Sequence, residues 1–141
     1  MFAGEYQHTL DEKGRVTIPA RFREELGERF VITRGLDRCL FVYPLSEWAK
    51  VEEKLKNLPF TRSDNRAFTR LFFSGAAEVE LDRQGRVLIP QNLREHAGIE
   101  KEVMIIGVST RVEVWSEQAW RTYSSEAKAA FEQTAEKLVD F

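Results

Sequence analysis

The sequence contains an internal repeat, and this feature restricts the possible folds more than any other. Residues 10–27, LDEKGRVTIPARFREELG, align without gaps with residues 81–98, LDRQGRVLIPQNLREHAG. Ten of these eighteen aligned positions are identical, whereas average residue usage gives about one identity by chance. After a one-residue shift the match continues at three further pairs, which are Gly35/Gly107, Val42/Val114 and Trp48/Trp120. The chain is therefore predicted to contain two copies of one unit of about 50 residues.

Each copy begins with a pattern that is typical of a hairpin followed by a short helix. In the segment Asp-x-x-Gly, Asp favours the first position of a type I turn and Gly the last. An Arg-Val-x-Ile segment with the alternation of a strand follows, so we predict a tight hairpin at each turn. Pro19 and Pro90 are expected to end these strands and to suit the first turn of a helix. Gly27 and Gly98 are the predicted ends of the two short helices.

Two further strands and a closing helix complete each predicted unit. The strands are expected at 30–34 and 39–43 in the first copy, and at 103–106 and 111–115 in the second. Ser46 and Ser116 are the predicted N-caps of the closing helices. Helical spacing predicts an apolar face on the first closing helix (Trp48, Val51, Leu55, Leu58) and a longer one on the second (Trp120, Tyr123, Ala127, Ala130, Phe131, Leu138).

The repeat also predicts how the chain is organised. Residues 1–60 are expected to form the first half-module with its closing helix, and residues 76–141 the second half-module with a long C-terminal helix. Residues 61–75 are expected to hold a connecting helix at about 64–73. No Gly/Ser-rich linker separates the copies, which indicates that they pack together. We therefore predict a β-rich α+β fold of two pseudo-symmetric halves with flanking helices, because a half this small cannot bury both faces of its strands alone.

Composition narrows the expected compartment and the expected ligands. The sequence has no run of eighteen apolar residues and no signal-peptide pattern, so no membrane association is expected. Cys39 is the single cysteine and has no partner for an internal disulfide, which favours a cytoplasmic location. His8 and His96 lack Cys or carboxylate partners at metal-ligand spacing. We therefore expect no metal and no other cofactor.

The distribution of charge favours a nucleic-acid partner more than the total does. The net charge is −2, which argues mildly against nucleic-acid binding. However, residues 11–23 carry four basic side chains against two acidic ones, and residues 82–94 carry three against one. Acidic residues concentrate elsewhere, at 47–53 and 126–136. The two basic stretches coincide with the two copies of the turn, and a local field of this kind can attract a polyanion.

The motifs of common enzyme classes are absent. The sequence has no Gly-x-Ser-x-Gly, no Walker A segment and no His-Glu-x-x-His, and no paired acid and base stands out. We expect neither an enzyme nor a small-molecule substrate. Two classes of function remain open: a DNA-binding regulator, or an oligomeric scaffold that does not bind DNA. Positive charge repeated at equivalent turns favours the regulator, because a scaffold has no need of it.

The repeated motif carries a family resemblance. LDEKGRVTIPARFREELG resembles the swapped-hairpin DNA-binding modules of the AbrB/SpoVT type, which share Asp-x-x-Gly-Arg, Ile-Pro and a short helix ending in Leu-Gly. Two such copies in a chain of 141 residues that begins Met-Phe-x-Gly-Glu-Tyr are similar to the MraZ family. The resemblance covers both repeats and the helix between them, essentially the whole chain.

The resemblance implies a fold and a function. Two half-modules would form one double barrel through swapped hairpins, and several chains would close into a homo-oligomeric ring. The protein would be a cytoplasmic, nucleoid-associated transcription regulator. It would bind repeated boxes in double-stranded DNA upstream of its own operon, in the bacterial division and cell-wall gene cluster.

The candidate DNA contacts lie at the two turns. The family motif Asp-x-x-x-Arg falls on residues 11–15 and 82–86, and the resemblance implies that its Arg contacts DNA. Arginine can donate two hydrogen bonds to guanine in the major groove, which admits a two-stranded β-ribbon. The candidate DNA-binding residues are Arg15 and Arg86 first, then Lys13, Arg83 and Gln84. The residues expected to hold the turns are Asp11, Gly14, Asp82 and Gly85.

Three other basic residues have a weaker interpretation. Arg62, Arg66 and Arg70 are four residues apart and form a stripe on the predicted connecting helix. A solvated face is the favoured interpretation, with salt bridges or contact with the DNA backbone as alternatives. Trp48 and Trp120 are interpreted as packing residues, in the core or between subunits.

Overall fold

The computed structural model describes residues 1–139, and in this range it contains eight strands and six helices. The first repeat supplies β1 (Glu5–Thr9), β2 (Arg15–Thr17), α1 (Ala20–Leu26), β3 (Arg29–Arg34), β4 (Leu40–Pro44) and α2 (Leu45–Lys56). The connecting helix is α3 (Ser63–Ser74). The second repeat supplies β5 (Ala77–Glu80), β6 (Arg86–Leu88), α4 (Gln91–Ala97), β7 (Glu102–Val108), β8 (Arg111–Ser116), α5 (Glu117–Ala129) and α6 (Phe131–Glu136). The predicted α+β class is confirmed.

The strands form one large antiparallel sheet and one small ribbon. The large sheet has the order β1-β7-β8-β4-β3-β5, and β2 pairs with β6 in a separate two-stranded ribbon. Strand β1 of the first repeat pairs with β7 of the second, and β5 of the second pairs with β3 of the first. Each repeat therefore gives its first strand to the other repeat, and β4 and β8 join the halves at the centre.

The local hairpin that we predicted at each turn is wrong in its strand pairing. A turn joins β1 to β2, but β1 pairs with β7 and β2 pairs with β6. The sequence pattern records the turn and the alternation of a strand, but it does not record the partner strand. The partner is chosen by burial, because the three-residue strand β2 covers its apolar side only against the other repeat, with Val16 opposite Val87.

The two faces of the large sheet bury two different apolar clusters. In β4, Leu40 and Val42 point to a core shared by both repeats, whereas Phe41 and Tyr43 point to the opposite face, as the two-residue period of a strand requires. The shared core is closed by the ribbon, α1 and α4, which contribute buried side chains to it. The opposite face is covered by α2, α3 and α5. The fold therefore places the ribbon and the larger helices on opposite sides of the sheet.

The predicted strands and the connecting helix match the structure to within one or two residues. The two caps differ in outcome. The hydroxyl of Ser116 accepts a hydrogen bond from the backbone N–H of Ala119 at 3.1 Å, so this predicted N-cap is confirmed. Ser46 is not a cap, because α2 begins at Leu45 and Pro44 occupies the N-cap position. Strand β4 ends at Pro44 and α2 begins at the next residue, so Ser46 already lies inside the helix.

The C-terminal region contains two helices where the apolar spacing predicted one. Ala130 has φ −105° and ψ 9°, which interrupts the helix between α5 and α6. Beyond this break Phe131 is 72% exposed, and Leu138, which follows the end of α6, is 56% exposed, so neither continues a buried stripe. In the first closing helix, Trp48, Val51 and Leu55 pack as predicted, while Leu58 lies beyond its end and is exposed.

Candidate nucleic-acid interface

Each repeat forms its turn around one aspartate. A carboxylate oxygen of Asp11 accepts hydrogen bonds from the backbone N–H groups of Lys13 and Arg15, both at 2.9 Å. In the second repeat, Asp82 accepts from the N–H groups of Gln84 and Arg86, both again at 2.9 Å. This local side chain to backbone bonding is the reason that Asp suits the first position of a turn.

Glycine closes both turns in a conformation that favours it. Gly14 has φ +82° and Gly85 has φ +76°, in the region where a residue with a Cβ is strained. The N–H of each glycine donates to the carbonyl of its own turn aspartate at 3.0 Å. The two turns are therefore built alike, and each presents the next residue, Arg15 or Arg86, at the start of a ribbon strand.

The same aspartates also hold the two arginine side chains. Nε of Arg15 donates to Asp11 at 2.7 Å, and Nε of Arg86 donates to Asp82 at 2.8 Å. The backbone N–H of the motif arginine is the first cause that lowers the pKa of each aspartate, and the arginine side chain lowers it further. Both carboxylates are thus ionised at neutral pH. Among the described residues, Nε is the only side-chain nitrogen of Arg15 that makes a hydrogen bond, whereas Nη1 of Arg86 also lies 3.9 Å from a carboxylate oxygen of Asp11.

The ribbon brings the two arginines to one surface. Val16 lies opposite Val87, and this central pair is flanked by Arg15 opposite Leu88 and by Arg86 opposite Thr17. The two valines are 1% exposed and face the shared core, so their neighbours along each strand face outwards. The side chains of Arg15 and Arg86 are 30% and 28% exposed. They therefore sit diagonally on the outer face of a two-stranded ribbon.

The exposed tips of the turns flank this surface, and they differ in charge. The first tip carries Glu12 and Lys13, whose charges cancel, whereas the second carries Arg83 and Gln84 and is positive. All four residues are exposed. The structure thus gathers the five candidate DNA-binding residues on and beside the ribbon, but it gives the two ends of the ribbon different electrostatic character.

Two further arginines adjoin the turns, and neither is among the residues predicted to bind DNA. Arg23 of α1 lies against Gly85, and Arg94 of α4 lies against Gly14. Each arginine therefore contacts the turn of the repeat to which it does not belong. The repeat alignment carried a signal for them, because Arg23 and Arg94 occupy the same position of the motif. It gave no sign that the contact crosses between the repeats.

The arginine stripe of the connecting helix lies away from the ribbon. Helix α3 packs on the sheet face opposite the shared core, where Thr33 donates a hydrogen bond to the carbonyl of Phe72. Arg62 donates to Asp64 at 3.1 and 3.2 Å. Arg66 donates to the carbonyls of Phe60 and Thr61. These bonds agree with the salt-bridged alternative for Arg62.

Other residues that could support chemistry are dispersed or buried. Among residues 1–139, no group of three or more His, Cys, Asp and Glu side chains is placed to hold a metal ion. Within the same range, no helix combines the length and apolar character needed to cross a membrane. Burial, followed by the nearby charge of Arg23, lowers the pKa of His8. The ribbon and its turns are therefore the best-formed candidate site.

Comparison with known proteins identifies the family. The family model described as "MraZ protein, putative antitoxin-like" matches residues 1–71 and again residues 72–141. This chain belongs to the MraZ family. The two matches cover both repeats, so the predicted MraZ resemblance and its two-module character are confirmed.

Relatives named "Transcriptional regulator MraZ" match along their full length. The MraZ protein of Desulforamulus reducens is 63% identical over 140 residues, which cover 99% of this chain and 99% of the relative. The MraZ proteins of Carboxydothermus hydrogenoformans and Moorella thermoacetica are each 64% identical over 141 residues, covering 100% of this chain and 99% of the relative.

Proposed function

We propose that this MraZ-family chain is a transcription regulator that binds double-stranded DNA through the outer face of the β2–β6 ribbon. The observation that carries the proposal is the diagonal placement of Arg15 and Arg86, one from each repeat, on that face. The names of the relatives support regulation of transcription. No catalytic role is proposed.

The proposed contacts follow from the chemistry of the side chains. The ribbon enters the major groove, where Arg15 and Arg86 donate paired hydrogen bonds to guanine edges. Lys13 and Arg83 at the turn tips neutralise phosphates, which supplies affinity without reading sequence. Gln84 can donate and accept, so it suits either a base edge or a phosphate. The aspartates hold the arginines in place but do not touch the DNA.

We interpret the strand exchange as a swapped-hairpin arrangement of two half-modules in one double barrel. Support comes from the β1–β7, β3–β5 and β2–β6 pairings, each of which joins the two repeats. The half-modules are taken as residues 1–60 and 76–141, with residues 61–75 between them. In this arrangement a single chain supplies both strands of the DNA-binding ribbon.

We further propose that several chains assemble into a ring. Large apolar side chains remain exposed on the single chain, among them Phe60 at 80%, Phe131 at 72% and Leu71 at 58%, and contact between subunits would cover such residues. A ring presents several ribbons, so adjacent DNA boxes would bind with a high effective concentration. Light scattering should then give a mass several times 16.4 kDa, and a monomer would contradict the ring.

The proposed target is DNA upstream of the protein's own gene, in the division and cell-wall gene cluster, so the protein would act in the cytoplasm at the nucleoid. Fluorescence anisotropy with this DNA, and with a shuffled duplex of equal composition, tests the proposal. We expect tighter binding to the upstream DNA, a steep loss of affinity with rising salt, and a further loss when repeated boxes are reduced to one. Equal and weak binding to both duplexes would favour the alternative, an oligomeric scaffold that does not bind DNA.

A further inference from the structure

The side chain of Arg23 links two segments that belong to different repeats. Its Nε donates a hydrogen bond to the carbonyl of Ile18, at 2.8 Å. The backbone N–H of Ile18 in turn donates to the carbonyl of Gly85, at 2.9 Å. The guanidinium also lies directly against Gly85, since a Cβ placed on this glycine would be 2.6 Å from Nε and 2.7 Å from Nη1 of Arg23. Arg23 therefore contacts both Ile18 of its own repeat and the turn of the other repeat, which carries Arg86.

Arg94 makes the corresponding contact in the opposite direction. A Cβ placed on Gly14 would be 2.9 Å from both Cζ and Nη1 of Arg94. The N–H of Ile89 donates to the carbonyl of Gly14 at 3.0 Å. Nε of Arg94 is buried and has no hydrogen-bond partner among the described residues. The guanidinium of Arg94 is thus held in place by packing against Gly14, in the same way that the guanidinium of Arg23 packs against Gly85.

Both glycines are buried although they lie in turns beside solvent-exposed tips. Their missing Cβ leaves a flat backbone surface, and a planar guanidinium covers that surface in a way that the tetrahedral ammonium of lysine does not. Because the next residue is the motif arginine, a shift of either glycine would move Arg15 or Arg86. A close-packed support of this kind fixes side-chain geometry more tightly than an exposed turn alone.

We propose that Arg23 and Arg94 are positioning residues that act across the repeats. Arg23 of the first repeat holds Arg86 of the second in its DNA-binding position, and Arg94 of the second repeat holds Arg15 of the first. This role rests on the proposed DNA-binding function of the ribbon. Each half-module therefore depends on the other for the geometry of its own contact, in addition to sharing a core with it.

A spectroscopic measurement tests the crossed geometry without DNA. The chain has eight glycines, so 15N-glycine labelling gives a simple amide spectrum in which Gly14 and Gly85 can be assigned. In the full chain, Arg23→Lys should shift the amide signal of Gly85 and leave that of Gly14 in place. Arg94→Lys should do the reverse. Arg121→Lys, an exposed control on α5 with a side chain that is 76% exposed, should move neither.

DNA binding separates a positioning role from a direct contact. The neutral variants Arg23→Gln and Arg94→Gln should bind the upstream DNA about tenfold more weakly, within the range of one bidentate base contact, while the slope of log K against log salt stays at the wild-type value. Loss of a phosphate contact would instead reduce that slope by about 0.9. Thermal unfolding of the same samples shows whether the variants keep the wild-type fold.

The two proposals fail in different ways. Absence of specific binding by the wild-type protein would contradict the proposed function, and the positioning role would fall with it. If the wild type binds specifically but each substitution shifts only the glycine signal of its own repeat, the positioning role alone is overturned. A reduced salt slope would overturn it in the same way.

Discussion

Arg15 and Arg86 lie diagonally on one face of a two-stranded ribbon, although each belongs to a different repeat. Their placement follows from the register in which Val16 faces Val87, because equivalent residues on either side of this pair are related by the pseudo-twofold symmetry of the halves. Neither repeat contains the ribbon by itself. The surface proposed to bind DNA therefore exists only when both copies fold together.

The dependence of one repeat on the other can be tested with a fragment. Residues 1–75 retain β3 and β4 as a pair, but they lack the partners of β1 and β2 and the outer neighbours of β3 and β4. We expect this fragment to be unfolded as a monomer and to fold only if a second copy replaces the missing repeat. Circular dichroism and light scattering measure the two properties together. A folded monomer with a cooperative thermal transition would refute the exchanged-strand architecture.

The turn aspartates should make stability depend on pH in the acid range. The pKa values of Asp11 and Asp82 are lowered from 3.8, first by the backbone N–H groups of Arg15 and Arg86. A lowered pKa in the folded state adds stability that is fully present above the unfolded value and is lost as pH falls through the folded value. The gap in Tm between wild type and Asp11→Asn should therefore be widest above about pH 4 and should close at lower pH. A gap that stays constant between pH 7 and pH 2 would show that ionisation of Asp11 is not involved.

Cys39 should not react with alkylating reagents while the protein is folded. Its side chain is 0% exposed, and burial, followed by the nearby charge of Glu113, raises its pKa. Because the thiolate is the reactive form, we expect no alkylation by iodoacetamide at pH 8 until the protein is unfolded. Leu36 is 59% exposed, so Leu36→Cys combined with Cys39→Ala provides an exposed-thiol control. Rapid alkylation of native Cys39 would contradict the buried position.

The difference between the two turn tips gives a gain-of-affinity prediction. Glu12 occupies the position that Arg83 holds in the second repeat. Glu12→Arg should strengthen DNA binding and increase the magnitude of the salt slope by up to about 0.9, because it adds one possible phosphate contact. Glu126→Arg, on α5 away from the ribbon, changes the net charge equally and serves as the control. Equal gains from both variants would indicate a general charge effect.

Much of the secondary structure could be predicted from the sequence because its signals are local. The Asp-x-x-Gly turns, the strands at 30–34 and 111–115 and the cap at Ser116 depend on nearby residues and were placed correctly. Local patterns could not predict the partners of β1 and β2, because the burial of Val16 against Val87 joins distant segments. Only the family resemblance implied swapped hairpins. The break at Ala130 was also missed, since its apolar neighbours continue the helical spacing without interruption. The contacts of Arg23 and Arg94 could not be predicted either, because they cross from one repeat to the other.

Substitution of the ribbon arginines decides whether the β2–β6 ribbon is the DNA-binding surface. Fluorescence anisotropy should compare the wild type with Arg15→Ala, Arg86→Ala and the control Arg121→Ala on the upstream DNA, with thermal unfolding confirming that each is folded. A bidentate contact with a base contributes about 1–3 kcal/mol, so each ribbon variant should lose about 5- to 150-fold in affinity while the control stays within about twofold. If the folded ribbon variants bind as tightly as the control, the β2–β6 ribbon is not the DNA-binding surface.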